Sequence, residues 1–331
     1  MTFSKSSLLL AALGVTAAAH AQFVETEPND SKAAANAFSV VPGSTITGNS
    51  TGASITVAGT TSVDEFLLNF GASAPAIYRN QLTLTTTGTA LNTGSLRGLT
   101  QSVTTGITAG TDATIQGTAT AVRYNQFYSF GAATSLYYRV TGSSTTTADY
   151  TSTLTRTAVT PTDLGLFAPG TITFNTGTTS AVDTSLLILD SGFNAIANYS
   201  NEDAAIATTG GTSSFSSYLS RTYAAGTYYL AISNFSLSSN LAAATDDNYK
   251  ATPVFDSAGL VANSSTATGL NLGFTVADAN GTQSIAGTKA AAYDVNFYKF
   301  TVGAAPVPEP ATMAVLGLGA LGLLRRKRKS A

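Results

Sequence analysis

Gln81-Leu82-Thr83-Leu84-Thr85 alternates polar and apolar residues with a period of two. In an extended chain successive side chains point to opposite faces, so the two leucines share one face and the polar residues the other. Thr171-Ile172-Thr173-Phe174 repeats the pattern. Further short runs rich in β-branched and aromatic residues occur at 54–57, 63–70, 126–130, 136–141, 185–189, 228–233, 270–276 and 296–302, separated by Gly, Asn, Asp and Ser. Such side chains suit a pleated surface, and many short strands broken by turn residues specify an all-β fold of antiparallel, jelly-roll-like β-sandwiches.

Helical pattern is confined to three places. Near the start, Asn29 or Asp30 of Glu25-Thr26-Glu27-Pro28-Asn29-Asp30-Ser31 can cap a short helix over 31–37. At the N-terminus, Lys5 precedes an apolar run at 8–19, and Ala19-His20-Ala21 fits the small-x-small cleavage rule. Residues 1–21 therefore read as a signal-peptide helix whose removal leaves Gln22 first. At the C-terminus, Val307-Pro308-Glu309-Pro310 leads into an apolar helix from Ala311 to Leu324 and then the basic block Arg325-Arg326-Lys327-Arg328-Lys329. Pro308 and Pro310 hold the approach extended. The 14 apolar residues span about 21 Å as a helix, against a bilayer core of roughly 30 Å, so the tail engages the inner membrane only transiently. The basic block stays cytoplasmic.

That C-terminal combination resembles the PEP-CTERM class of exported bacterial proteins. The resemblance implies sorting by an exosortase, a Gram-negative envelope, a destination at the cell surface or in the extracellular matrix, and association with exopolysaccharide or biofilm. A plain membrane anchor is the competing reading of the same residues.

With both ends removed, ten basic and 17 acidic residues remain, a net charge of −7. An acidic surface argues against nucleic acid as a partner. About 280 residues divide at 157–163, where Thr160-Pro161-Thr162-Asp163 breaks the pattern, into sandwich units at 22–158 and 159–303, followed by the tail at 304–331. Residues 234–265 read as a long surface insertion. Asp64–Phe70, Asn125–Phe130 and Asp294–Phe300 share a polar lead and paired aromatics. They are either one closing strand recurring in related sandwiches or aromatic strands that merely look alike. In the second unit, Gly170–Phe174, Asp183–Asp190, Asn201–Asp203, Ala225–Leu230 and Asp294–Phe300 occur in an order that, with Glu27–Ser31, resembles the bacterial pre-peptidase C-terminal domains. This implies a non-catalytic β-sandwich accessory.

The chemistry is bounded by what the chain lacks. It has no Cys and one His, His20, which falls within the signal peptide. A Ser-His-Asp triad, a Cys-His pair and a typical zinc site are thereby excluded from the mature chain. Phosphate-binding glycine loops are absent. Paired carboxylates of a glycoside hydrolase remain the remote catalytic alternative. Oxygen-rich loops suit Ca²⁺ better. Asp183, Asp190, Asn201, Glu202 and Asp203 form the leading candidate set, with Asp246-Asp247-Asn248 a second cluster. Tyr137-Tyr138 and Tyr223, Tyr228 and Tyr229 are candidates for a sugar platform, which would make the protein a carbohydrate-binding module; the competing reading is one Tyr of each pair in the core. The expectation is an exported, non-catalytic surface or matrix protein.

Overall fold

The computed structural model describes residues 20–303, apart from 51–62, 88–91, 100–113, 118–122, 143–147, 181, 212–214, 236, 248–253 and 263–265. The strand expected at 54–57, the signal helix and the whole C-terminal tail lie outside the described residues.

The chain is almost entirely β. In the first sandwich one sheet runs Gln22–Val24, Thr45–Ser50, Ala148–Val159, Ile77–Thr86, Tyr124–Ser129. The facing sheet runs Asn36–Val40, Val63–Phe70, Thr134–Thr141, Thr93–Arg97, Thr114–Gly117. Leu82, Leu84 and Leu154 of the first sheet meet Phe66, Leu68 and Leu136 of the second in one buried cluster. The alternating Leu82 and Leu84 thus point inward, at 0% and 1% exposure.

In the second sandwich one sheet runs Thr162–Phe167, Asn296–Val302, Gly226–Asn234, Thr184–Leu189, Ala195–Asn201. It faces Tyr218–Tyr223, Gly170–Asn175, Phe274–Asp278, Gly281–Ile285. Ile172, Phe174, Leu186, Ile188, Phe274 and Phe300 share its core.

Thr184–Leu189 is buried along its whole length because both of its faces are covered. Leu186 and Ile188 enter the second core, while Leu187 and Leu189 turn outward against Ile77 and Tyr128 of the first sandwich. The two sandwiches therefore stack through a third apolar cluster that also includes Val295 and Phe297.

Four expectations change. The helix expected over 31–37 is a single 3₁₀ turn, Lys32–Ala34, followed by the strand Asn36–Val40. Ser31 makes no side-chain cap, and Asn36–Val40 pairs with Phe66–Phe70 instead. Alanine-rich propensity is weak and yields to tertiary pairing. Among the described residues of 234–265, the segment 254–262 is not a surface insertion: Phe255, Leu260 and Val261 are at most 1% exposed. Phe255 and Val261 complete the first core, and Leu260 exchanges backbone hydrogen bonds with Tyr128 at 2.8 and 3.0 Å. The run at 270–276 is split, Leu270–Asn271 pairing with Thr288–Lys289 and Phe274–Asp278 joining the main sheet. The sheets are not purely antiparallel, because three edge strands pair in parallel with their neighbours.

Two of the three look-alike segments hold matching places. Val63–Phe70 and Asn296–Val302 are each second in a five-stranded sheet, each parallel to the edge strand and antiparallel to the third. They sit at opposite ends of their units in sequence. Tyr124–Ser129 instead edges a different sheet.

Candidate metal centre

The sharpest polar constellation among the described residues forms where the chain enters the first sandwich. Gln22–Val24 runs parallel to Thr45–Thr47, and the Glu25 N–H continues the ladder to the Thr47 carbonyl at 3.0 Å. Glu25 is thereby laid over Gly48 and Asn49. Its Oε1 accepts the Asn49 N–H at 2.5 Å and its Oε2 accepts the Tyr150 hydroxyl at 2.9 Å. A Cβ at position 48 would collide with both Glu25 Oε2 and Tyr150 Oη, so this approach requires glycine.

Two residues on, Glu27 Oε2 accepts the Asn29 N–H at 2.9 Å. The Asn29 carbonyl accepts the Glu65 N–H at 2.9 Å, docking the loop onto the strand that carries Asp64. Carboxylate oxygens of Glu25, Glu27 and Asp64 then lie within 4.8 Å of one another. Asn29 is fully buried, and its Oδ1 has no hydrogen-bond partner.

Asp64 is fully buried. Burial, and after it the charge of Glu25, pushes its carboxyl up to about 8. Burial also raises Glu25, against the lowering effect of its hydrogen bonds from Asn49 and Tyr150. Arg139 pairs with the neighbouring Glu65. The Asp64 carboxyl therefore resists ionisation near neutral pH. Ca²⁺ takes oxygens at about 2.3–2.6 Å, so ligands on opposite sides of one ion stand up to roughly 5 Å apart. The Glu25–Glu27–Asp64 spacing fits that chemistry. The exposed position of Glu27 gives an ion access from solvent.

The candidate calcium set of the second sandwich is only partly assembled. Asp183, Asp203 and Asp247 interact, Asp247 coming from the other acidic cluster. Asp247 accepts the backbone N–H groups of Glu202 and Asp203 at 2.8 and 3.2 Å. Asn201 serves the backbone, its Oδ1 accepting the Tyr218 N–H at 2.7 Å. Asp190 is not brought to this group. It follows Thr184–Leu189 while Asp183 precedes it, a separation of about 23 Å at ~3.3 Å per residue. Its carboxylate caps its own turn through Gly192 and Asn194 at 2.8 and 2.9 Å. Asp246 pairs with Arg221 at 2.7 Å, and Asn248 lies outside the described residues.

The candidate sugar-binding tyrosines are engaged in packing. Tyr138 and Tyr223 are at most 2% exposed, Tyr228 stacks on Phe300 at 5.5 Å, and Tyr229 stacks on Phe193 at 4.5 Å. Tyr137 lies under the Lys32 ammonium at 5.0 Å. Among the described residues no helix is long and apolar enough to cross a membrane.

The fold thus defines an all-β protein with a carboxylate centre at its N-terminal entry. Residues 306–329 match the family described as the PEP-CTERM protein-sorting motif. This stretch contains the proline-flanked Glu309, the apolar run and the basic block, and it marks an exported protein that exosortase processes and sorts to the cell envelope. No curated protein matches the chain.

Proposed function

We infer that the mature protein is a non-catalytic component of the Gram-negative cell surface or extracellular matrix, associated with exopolysaccharide, and that its first sandwich is locked by Ca²⁺ at Glu25, Glu27 and Asp64. The observation that carries this reading is the sorting motif at 306–329, which directs the chain to the envelope. The calcium centre gives the envelope context a physical use. A chain without cysteine cannot staple its N-terminal entry by disulfide, whereas a divalent ion can tie Glu25 and Glu27 to Asp64. Supporting the non-catalytic reading, the mature chain lacks His and Cys. The three clustered carboxylates are also closer together than the ~5–9.5 Å separations of glycosidase pairs. The resemblance to pre-peptidase C-terminal domains supports the same accessory role. Removal of residues 1–21 as a signal peptide belongs to this reading and leaves Gln22 at the start of the first strand.

The test is fractionation of cells expressing the full chain and a version lacking 306–331. The full chain is expected in the envelope and matrix fraction, released when the exopolysaccharide is enzymatically degraded. Equal distribution of the two forms, or no release with the polysaccharide, would contradict the reading.

A further inference from the structure

Asn-x-Ser/Thr, the acceptor tripeptide for N-linked glycans on exported chains, begins at Asn29, Asn49, Asn198, Asn234, Asn263 and Asn280. The fold separates these candidates. Asn29 is fully buried. Asn49 and Asn234 are half-buried, and their side-chain amides donate to Asp149 Oδ1 and the Asp183 carbonyl at 2.7 and 2.8 Å. Asn263 lies outside the described residues. Asn198 is exposed, but its tripeptide is held within the strand Ala195–Asn201. There Tyr199 Oη donates to the Thr222 carbonyl at 2.6 Å, and Ser200 pairs with Leu187.

Asn280 is placed differently. It sits at a hairpin tip, in the two-residue turn Ala279-Asn280 between Phe274–Asp278 and Gly281–Ile285. Asn280, Gly281 and Thr282 are all exposed. A Cβ at position 281 would meet nothing within 4 Å, so the middle of the tripeptide is uncrowded. Asp278 fixes the turn, accepting the Asn280 N–H at 2.8 Å and its side-chain amide at 3.3 Å.

We propose that Asn280 is the attachment point of an N-linked oligosaccharide, transferred from a lipid-pyrophosphate carrier after export. Asn280 Nδ2 bonds to the anomeric carbon of the sugar. The carbon–oxygen bond to the carrier breaks, the lipid pyrophosphate leaves with its electron pair, and one Nδ2 proton is released. The secondary amide so formed keeps one N–H, enough to retain the bond to Asp278. This modification needs only the exported location that residues 306–329 specify, and it is independent of calcium.

Two features beside the turn give the glycan a place and a use. A groove of about 260 Å³ runs from Asn280 and Thr282 to Leu166 and Phe167. Leu166 is 48% exposed and offers an apolar floor to the C–H face of the first sugar. Gly281–Ile285 is also the edge of its sheet, and its first four residues are exposed. It carries no charge and no proline, the usual guards against edge-to-edge pairing. A sugar chain rooted at the start of this strand supplies the missing cover.

Mass spectrometry of tryptic peptide 251–289 tests the proposal, on full chain recovered from the surface of the cells that make it. The peptide is expected to be heavier than its sequence mass by whole sugar residues. Asn280→Gln and Thr282→Ala should each return it to sequence mass, with the β circular-dichroism spectrum unchanged, since both residues are exposed. An unmodified wild-type peptide overturns the proposal. So does a shift of a single mass unit alone, as spontaneous deamidation of Asn280-Gly281 would give. A glycan that persists in Asn280→Gln belongs to Asn263 and overturns it equally.

Discussion

Tyr128 Oη accepts the backbone N–H of Val295 at 3.0 Å, joining the two sandwiches across their seam. Gln126 donates to the same oxygen at 2.9 Å, and the Tyr128 ring meets Phe297 edge-on at 5.0 Å. Arg79 pairs with Asp294 at 3.4 Å nearby. A seam that is both apolar and hydrogen-bonded makes the sandwiches one mechanical unit.

Tyr128→Phe should therefore destabilise the whole protein by about 1–3 kcal/mol, because the buried Val295 N–H loses its acceptor. Tyr128→Ala should cost about 3–5 kcal/mol through the cavity it leaves. In urea, probes in both sandwiches should report a single shifted transition. Loss of structure in only one sandwich would show the seam to be weak.

Gly48→Ala should damage the calcium centre without touching a ligand. The added methyl displaces Glu25 or Tyr150, so the calcium-induced rise in melting temperature should shrink markedly while the β signal persists. A wild-type calcium response would contradict the placement of Glu25.

Asp64→Asn should raise the melting temperature of the cation-free protein at pH 7. The buried carboxyl resists ionisation, and a neutral amide of the same shape removes that cost. The same variant should lose most of the wild-type gain on adding Ca²⁺. Differential scanning calorimetry with EDTA and with calcium reads both effects.

Lys289 sets a pH dependence. It is fully buried, its Nζ donates to the Ala267 carbonyl at 2.7 Å, and burial pushes its pKa down to about 8 from a usual 10.5. Between those values the unfolded chain binds more protons than the folded one, so stability should rise with pH. Near pH 10 the unfolded tyrosines begin to ionise while buried Tyr138, raised to about 12 by burial, does not. The rise should then reverse. Urea unfolding from pH 8 to 10 should show an increase that Lys289→Met flattens.

The alternation at 81–85 and 171–174 was enough to read the strands and the all-β class, because a period of two has one structural meaning. The twelve-residue Ala148–Val159 was not legible: Tyr150-Thr-Ser-Thr-Leu154 carries few apolar residues, and its position between two neighbours is set by distant partners. The 31–37 segment misled because alanine favours helix locally while pairing with Val63–Phe70 is non-local. The metal centre escaped for the same reason. Glu25 and Glu27 stand two apart, as residues on one side of an extended chain do, but Asp64 joins them only through cross-strand docking. Asp183 and Asp190 were grouped as loop acids of one sandwich, although the strand read at 185–189 already lay between them and holds them apart. The tail was fully legible, since its order of proline-flanked Glu309, apolar run and basic block is a linear signal.

Export, trimming at both ends and delivery to the envelope would leave their mark on the mass of the mature chain. The mass of the protein recovered from the surface of the cells that make it tests this most directly. The expected species begins at Gln22 and lacks Arg325 to Lys329. A species retaining the intact basic block would contradict it and leave a simple membrane anchor.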